Sequence, residues 1–240
     1  MEPQVPGRMP RAGLLLLPLL LCFGPETAGS IKADALKVIV DHVNRYGGVN
    51  NQYAFAVSLP NATCRKPQNI KKYLPRTQLA DMRKKIRPFG GLYNSSSGNI
   101  VAARPLNVSQ KDTQHSEWRL LQGGQNSLVA QLTARTYRRD SCLILFTLSS
   151  PCSTKCLREN GSSNIVQMTS DAFSAINKEY KAFVFQRIFD YDMKPEVTRK
   201  DLLDAWHRLH DVPLLRCDNN GCQNCSSVDP QNNPCLAGKR

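Results

Sequence analysis

Two short segments of this chain carry residue types suited to a catalytic metal site. His115-Ser116-Glu117 supplies an imidazole and a carboxylate, and Ser150-Pro151-Cys152 is followed by a second thiol at Cys156. One imidazole and two thiolates can hold a zinc ion in three positions and leave the fourth open for water. A carboxylate that does not bind the metal can then move protons on and off that water.

The elements around these segments are predicted to bring them together. His115 and Glu117 fall where a second strand gives way to a helix, and Cys152 follows a continuous apolar run, 142–148, typical of a strand buried on both faces. We expect a helix to begin at Cys152, so that Cys152 and Cys156 share one face and the helix start favours thiolates. Because the carboxyl ends of neighbouring strands converge in such a sheet, the sequence predicts a zinc site there.

Each residue alone has a plainer interpretation. A single histidine before a helix is usually a surface residue, and two cysteines in an exported protein are usually disulfide partners. An acid in the first helical turn can simply stabilise the helix dipole. The combination, in this order, is typical of zinc-dependent nucleobase deaminases. Zinc lowers the pKa of its bound water, so that hydroxide can attack C4 of cytosine or C6 of adenine while Glu117 carries the protons.

A third segment narrows the class of deaminase. The run 186–192, Q-R-I-F-D-Y-D, resembles the loop after the fourth strand in the AID/APOBEC polynucleotide cytidine deaminases. With the H-x-E and S-P-C motifs the resemblance covers about 115–216, and the chain looks most like the secreted AID/APOBEC-like deaminases. It implies that Phe189 packs on the target base, while Tyr191 contacts the preceding nucleotide and Asp190 helps to choose it. The alternative is that Phe189 is core at a strand end and the other two lie in a solvated loop.

The apolar periodicity predicts helices and strands in the order α-β-β-α-β-α-β-α-β. Strands are expected at 53–59, 99–103, 142–148, 181–188 and 213–216, and helices at 31–46, 77–86 (short, inside an insertion), 115–137, 152–159, 170–179 and 198–210. About 24 residues separate the last two strands, too many for a tight hairpin, so these strands should run parallel.

The resemblance implies a three-layer α/β/α cytidine-deaminase-like fold around a five-stranded mixed sheet. We expect one deaminase-like domain over 30–216, with a basic insertion at 60–98, followed by a cysteine-rich tail at 217–240.

Residues 1–29 predict a secretory signal peptide. Arg8 and Arg11 precede an apolar run, 12–23, and small residues precede a cleavage site before Ser30. This run is too short to span a bilayer and no later stretch qualifies, so we expect a secreted protein without a membrane span. Five acceptor sequons for N-linked glycans support export; they begin at Asn61, Asn94, Asn107, Asn160 and Asn224.

Six cysteines remain outside the signal peptide and the predicted zinc site, which permits up to three disulfides in an oxidising compartment. They are Cys64, Cys142, Cys217, Cys222, Cys225 and Cys235. The last four stand among polar residues, which favours a disulfide-stapled loop. A second zinc site is the alternative, although no histidine lies near them.

The chain is strongly basic, with 32 Lys and Arg against 19 Asp and Glu and a net charge of +13. An exported basic protein is attracted to polyanions such as single-stranded DNA, RNA or heparan-like glycans. Nine cations cluster in the insertion against Asp81 alone: Arg65, Lys66, Lys71, Lys72, Arg76, Arg83, Lys84, Lys85 and Arg87. Such a segment could grip nucleic-acid phosphates, bind glycans or remain a solvated loop.

The leading hypothesis is a secreted zinc hydrolase acting on a C–N bond of a cyclic amidine, the C4 amino group of cytosine in single-stranded DNA or RNA. An immune role against foreign nucleic acid would fit export, by analogy with the family. Two alternatives stay open, a deaminase of free cytidine and a catalytically silent protein that binds polyanions. Glu117 argues against the silent protein, because a purely structural zinc site would not need that carboxylate.

Overall fold

The structure is a computed structural model that describes residues 31–110, 112–136 and 140–239. The predicted signal peptide and Tyr137, the last residue of one predicted helix, lie outside the described residues. Within them, no helix is long and apolar enough to cross a membrane.

A mixed sheet of seven strands forms the centre of the fold, in the order β2-β3-β1-β6-β7-β8-β9. A separate two-stranded hairpin, β4-β5, precedes His115. The strands are β1 (Ala54–Pro60), β2 (Leu92–Asn94), β3 (Ile100–Ala103), β4 (Leu106–Asn107), β5 (Thr113–Gln114), β6 (Ser141–Ser149), β7 (Lys181–Arg187), β8 (Leu214–Asp218) and β9 (Gly221–Asn224).

The strand directions explain where the functional residues meet. Strand β1 runs antiparallel to both β3 and β6, with Ala54 opposite Ala103 and Thr147. Strands β6, β7 and β8 run parallel, as predicted for the last two strands of the expected sheet. The start of β1 therefore lies at the same end of the sheet as the carboxyl ends of β3, β6 and β7.

The expectation of a five-stranded sheet is wrong, because β2 and β9 extend it at its two edges. Strand β2 has three residues inside the polar insertion, and β9 is a polar segment of the cysteine-rich tail. Neither carries the apolar alternation that identifies a strand in sequence. Backbone pairing with β3 and β8 defines these edge strands instead.

Helices cover both faces of the sheet and bury a core on each. They are α1 (Ala33–Gly47), α2 (Asn61–Arg65), α3 (Ile70–Tyr73), α4 (Arg76–Ile86), α5 (Ser116–Leu121), α6 (Leu128–Thr136), α7 (Val166–Phe173) and α8 (Arg199–His207). The alternation of β1 shows the two layers: Phe55 and Val57 belong to the core beneath α1 and α4. Ala54 and Ala56 belong to the core that α5, α6, α7 and α8 cover.

The basic insertion is folded. Helix α4 packs on α1 through Leu79 and Met82, and a Cβ at Gly47 would lie against the end of the Met82 side chain and the carbonyl of Leu79. Arg83 donates from Nε to the carbonyl of Gly48 at 2.8 Å and from Nη2 to that of Arg45 at 2.9 Å. These bonds satisfy carbonyl groups that the end of α1 leaves without helical partners.

The helix predicted over 115–137 is interrupted. Gly123 and Gly124 have φ of 101° and 58°, in the left-handed region that glycine adopts without strain. The backbone therefore turns there, and α5 and α6 are separate helices. The helices predicted over 152–159 and 170–179 are also wrong in position, since α7 begins only at Val166.

The six cysteines that lie outside both the predicted signal peptide and the predicted zinc site are paired, as Cys64–Cys142, Cys217–Cys222 and Cys225–Cys235. The four tail cysteines are therefore disulfide-bonded and do not form a second zinc site. The tail also packs on the domain, since Cys225, Cys235 and Leu236 belong to the core beneath α8.

Candidate metal centre and active site

His115 and Glu117 are placed by the junction between the β4-β5 hairpin and α5. His115 has the extended backbone of an N-cap residue, with φ −71° and ψ 155°. Glu117 lies in the first turn of α5 and is 2% exposed. Leu120 and Leu121 anchor the helix in the core, so both functional side chains project from a fixed support.

Cys152 and Cys156 lie in a series of turns after β6, where the sequence had predicted a helix. The amide of Cys156 donates to Cys152 Sγ at 3.3 Å, and the amide of Leu157 donates to the carbonyl of Cys152 at 3.1 Å. Ser153 donates its amide and its hydroxyl to the carboxylate of Asp192, at 3.1 and 2.6 Å. These contacts hold the backbone in turns, and they provide the fixed geometry that a helix start was expected to provide.

The structure brings His115, Cys152 and Cys156 together, with their ligand atoms within 4.8 Å of one another. Nδ1 of His115 lies 3.1 Å from Cys156 Sγ and 3.6 Å from Cys152 Sγ. The ligand atoms of a tetrahedral zinc ion lie roughly 3.5 Å or slightly more apart, given its usual bond lengths. The two thiols are not bonded to each other. The three side chains therefore fit a zinc ion in both donor type and spacing.

The electrostatics of the cluster favour a thiolate. A hydrogen bond from Cys156 and the nearby imidazole lower the pKa of Cys152 to about 4, against the opposing effect of burial. The same hydrogen bond, together with burial, raises the pKa of Cys156. Burial opposes protonation of His115, but its interactions with Cys152 outweigh this and raise its pKa. A cation bound between these groups would replace the shared proton, because metal-bound thiols are deprotonated.

The two carboxylate oxygens of Glu117 differ in their contacts, because one accepts hydrogen bonds and the other has no partner among the described residues. Oε1 accepts a hydrogen bond from Thr147 Oγ1 at 2.5 Å and from Gln52 Nε2 at 3.3 Å. Oε2 is buried and has no protein partner. Burial raises the pKa of Glu117, partly offset by His115 and Thr147. A buried acceptor without a donor is unfavourable, so Oε2 is available to accept a hydrogen bond from a bound molecule.

The sequence did not predict that Gln52 and Thr147 belong to the site. Gln52 donates to Thr147 Oγ1 at 2.8 Å and accepts from the amide of Ser149 at 3.0 Å, so it joins the start of β1 to the end of β6. Thr147 had one available signal, since it is a polar residue inside an apolar strand. Gln52 precedes β1 in a polar stretch and had none.

The predicted substrate segment lies beside the metal cluster. The ring centroid of Phe189 is 6.3 Å from that of His115. The backbone amide of Phe189 donates to Ser150 Oγ at 3.0 Å. Asp190 and Tyr191 are exposed on the following turn, where Lys194 Nζ lies 4.7 Å from the centre of the Tyr191 ring. The structure therefore places Phe189 beside the metal cluster, and Asp190 and Tyr191 on the exposed turn that follows it.

Asp192 is a further residue that the sequence analysis did not identify. It is fully buried, and its two hydrogen bonds to Ser153 connect the substrate segment to the turn that carries Cys152. Burial raises the pKa of its carboxyl group, against the two hydrogen bonds from Ser153. Asp192 thus links the two halves of the site without reaching the metal cluster itself.

Comparison with known protein families places the chain in one of them. The family model for the Secreted Novel AID/APOBEC-like Deaminase 1 matches residues 33–239, and the chain therefore belongs to this family. The resemblance inferred from the sequence is confirmed. Searches of curated proteins and of solved structures give no match. The family is secreted, and the three disulfides fit an extracellular protein.

Proposed function

Because the chain belongs to a family of secreted deaminases, we propose that it hydrolyses the C4 amino group of cytosine in single-stranded nucleic acid, with zinc as cofactor. His115, Cys152 and Cys156 would hold the ion. When bound, zinc supplies a coordinated water of lowered pKa. The observation that carries the proposal is that these three metal-ligand candidates and the unpartnered Oε2 of Glu117 lie at the same end of the sheet.

Glu117 would carry the protons of the reaction at Oε2. Thr147 and Gln52 hold Oε1, so the carboxylate keeps its orientation while Oε2 gains and loses a proton. Oε2 takes a proton from the attacking water, delivers it to the ring nitrogen of the base, and later assists the departure of ammonia. Fixing one oxygen reduces the reorganisation that each proton transfer requires.

A polynucleotide substrate is favoured by the surroundings of the site. Phe189 offers aromatic surface beside the cluster, and an exposed ring follows two residues later at Tyr191. Unpaired bases are commonly held by stacking on such rings. The net charge of +13 would attract a phosphate backbone, whereas a free nucleoside carries no charge to respond to it.

The test measures zinc content and uracil formation on single-stranded DNA, single-stranded RNA and free cytidine. Wild type is compared with Glu117→Gln, and with Glu159→Gln, a matched change at a side chain that is 77% exposed. We expect stoichiometric zinc in all three proteins, and turnover of the polynucleotide in wild type and Glu159→Gln only.

Three outcomes would overturn the proposal. Turnover by Glu117→Gln would show that Glu117 is not the proton carrier. Turnover of free cytidine alone would make the protein a nucleoside deaminase. Bound zinc without turnover of any of these substrates would favour a silent protein that binds polyanions.

A further inference from the structure

Phe89 presents an exposed aromatic ring on the basic insertion, in the turn that follows α4. The side chain is 51% exposed. Among the described residues, the exposed large hydrophobics include only two aromatic rings, Phe89 and Tyr191. Isolated exposed apolar residues are common and need no explanation. Phe89 differs from such residues because hydrogen bonds fix its turn and attach that turn to helix α5.

The turn is fixed by its own backbone. Gly90 has φ of 77°, in the left-handed region, and its amide donates to the carbonyl of Pro105 at 2.8 Å. The amide of Gly91 donates back to the carbonyl of Pro88 at 3.0 Å. A side chain at Gly90 would meet Leu106, so the chain reverses here only with glycine.

The turn is also attached to the helix that carries Glu117. Arg119, two residues further along α5, donates from Nη1 to the carbonyl of Gly90 at 2.9 Å and to that of Arg104 at 2.6 Å. Arg104 in turn donates from Nε to the carbonyl of Gln52 at 3.3 Å. Gln52 is the residue whose side chain contacts Glu117. The turn of Phe89 is therefore connected to Glu117 through a chain of hydrogen bonds.

Arg104 supports the ring itself. Its guanidinium carbon lies 5.8 Å from the centre of the Phe89 ring, and the residue is only 8% exposed. A hydrogen bond from Nη1 to the carbonyl of Arg87, at 2.7 Å, fixes the guanidinium in place. A cation near an aromatic ring attracts it. The ring is thus held outward while about half of its surface stays open to solvent.

The charges around Phe89 suit a phosphate backbone. Lys84, Lys85 and Arg87 are exposed in the preceding turn of chain, and they belong to the insertion whose nine cations face a single acid, Asp81. Aromatic rings combined with cations that follow a phosphate chain are the usual means of binding single-stranded nucleic acid.

We propose that Phe89 is a stacking platform for an unpaired base of a single-stranded polynucleotide that continues outward from the metal site, with Arg87 contacting its phosphates. The inference rests on the proposed function in one respect, that this strand is the substrate. The stacking contact itself requires no turnover. Because every base has an aromatic face, the contact adds affinity that depends on strand length and little on sequence.

The experiment measures binding in the Glu117→Gln background, so that no substrate is consumed. The probe is a single-stranded DNA oligonucleotide that carries 2-aminopurine at successive positions beside the target cytosine. We expect Phe89→Ala to weaken binding roughly fivefold or more and to abolish fluorescence quenching at one position. Phe89→Trp should retain both, and Val38→Ala, at a 48% exposed residue of α1, should change neither.

Arg87→Gln provides an independent measurement. It should lower the slope of log affinity against log salt by about 0.7, the value for one phosphate contact on a single strand. Unchanged binding and quenching in Phe89→Ala would overturn the inference. So would a loss of affinity that is equally large for deoxycytidine monophosphate, because the proposed platform holds a base other than the one at the metal site.

The two proposals fail in different ways. A wild-type protein without deaminase activity that still shows Phe89-dependent quenching would overturn the proposed function and leave the platform intact. Turnover of long oligonucleotides at equal kcat/KM in wild type and Phe89→Ala would overturn the platform and leave the function intact.

Discussion

Replacement of Asp192 by alanine should weaken metal binding and stability together, although Asp192 touches no metal ligand. Its carboxylate accepts the amide and the hydroxyl of Ser153, the residue after Cys152, at 3.1 and 2.6 Å. Asp192→Ala removes both acceptors and leaves a small cavity beside the turn that orients Cys152. Asp192→Asn keeps the shape, because its oxygen can accept from the amide while its NH₂ group donates to the hydroxyl.

The magnitude follows from the contacts. A hydrogen bond to a charged group contributes about 1.5–3 kcal/mol net, and burial of the carboxylate offsets part of the two present here. Ser153 is only half-buried, so water can partly replace the lost acceptors. We therefore expect Asp192→Ala to lower the free energy of unfolding by about 2–3 kcal/mol, and Asp192→Asn by less than about 1 kcal/mol. Zinc affinity should fall roughly 10- to 100-fold in the alanine variant, as for other residues that orient metal ligands.

Urea denaturation and competition with a chromophoric zinc chelator give the two quantities. Asp41→Ala is the matched control, since Asp41 pairs with Lys37 on the exposed face of α1 and an exposed pair contributes little. Equal zinc affinity in wild type and Asp192→Ala would refute the reasoning, whatever the change in stability. A loss of affinity as large in Asp192→Asn would show that charge, and not the hydrogen bonds, acts on the cysteine turn.

The stability difference between wild type and Asp192→Asn should depend on pH. Burial raises the pKa of Asp192 in the folded protein, so the folded state binds this proton more readily than the unfolded state. Stability contributed by the group is then present at low pH and is lost as pH rises through the folded pKa. Wild type should therefore gain stability relative to Asp192→Asn as pH falls from 7 towards 4. A difference that is constant over this range, measured by urea denaturation, would contradict the assignment.

Two further predictions concern other contacts. Thr147→Val removes the hydroxyl that fixes Glu117 Oε1. It should lower kcat roughly tenfold or more with zinc content unchanged. Loss of zinc, or an unchanged kcat, would contradict the role given to Thr147. Removing the Cys64–Cys142 disulfide, which spans 78 positions, should cost about 4.5 kcal/mol, against about 2 kcal/mol for Cys217–Cys222, which spans 5. Thermal unfolding of the two serine double variants checks the order, and a reversed order would refute the chain-entropy argument.

The candidate metal ligands could be selected from the sequence because metal binding depends on residue type, and the structure brings the three of them together. Imidazole and thiolate groups are common zinc ligands, and the order of His115, Glu117, Cys152 and Cys156 along the chain indicated the family that the comparison shows. The buried strand β6 could also be predicted, since a continuous apolar run of this length is typical of a strand buried on both faces. The parallel pairing of β7 and β8 followed from the length of their connection.

The supports of the site were decided only by the tertiary structure. Gln52 meets Glu117 across 65 positions, Thr147 meets it across 30, and Asp192 meets Ser153 across 39. No local pattern encodes contacts at such separations, because each partner alone is an ordinary polar residue. The edge strands β2 and β9 and the turn at Phe89 likewise depend on backbone pairing and on arginines from elsewhere in the chain. The sequence thus determined which side chains could form the candidate site, and the packing of distant segments decided how those side chains are held.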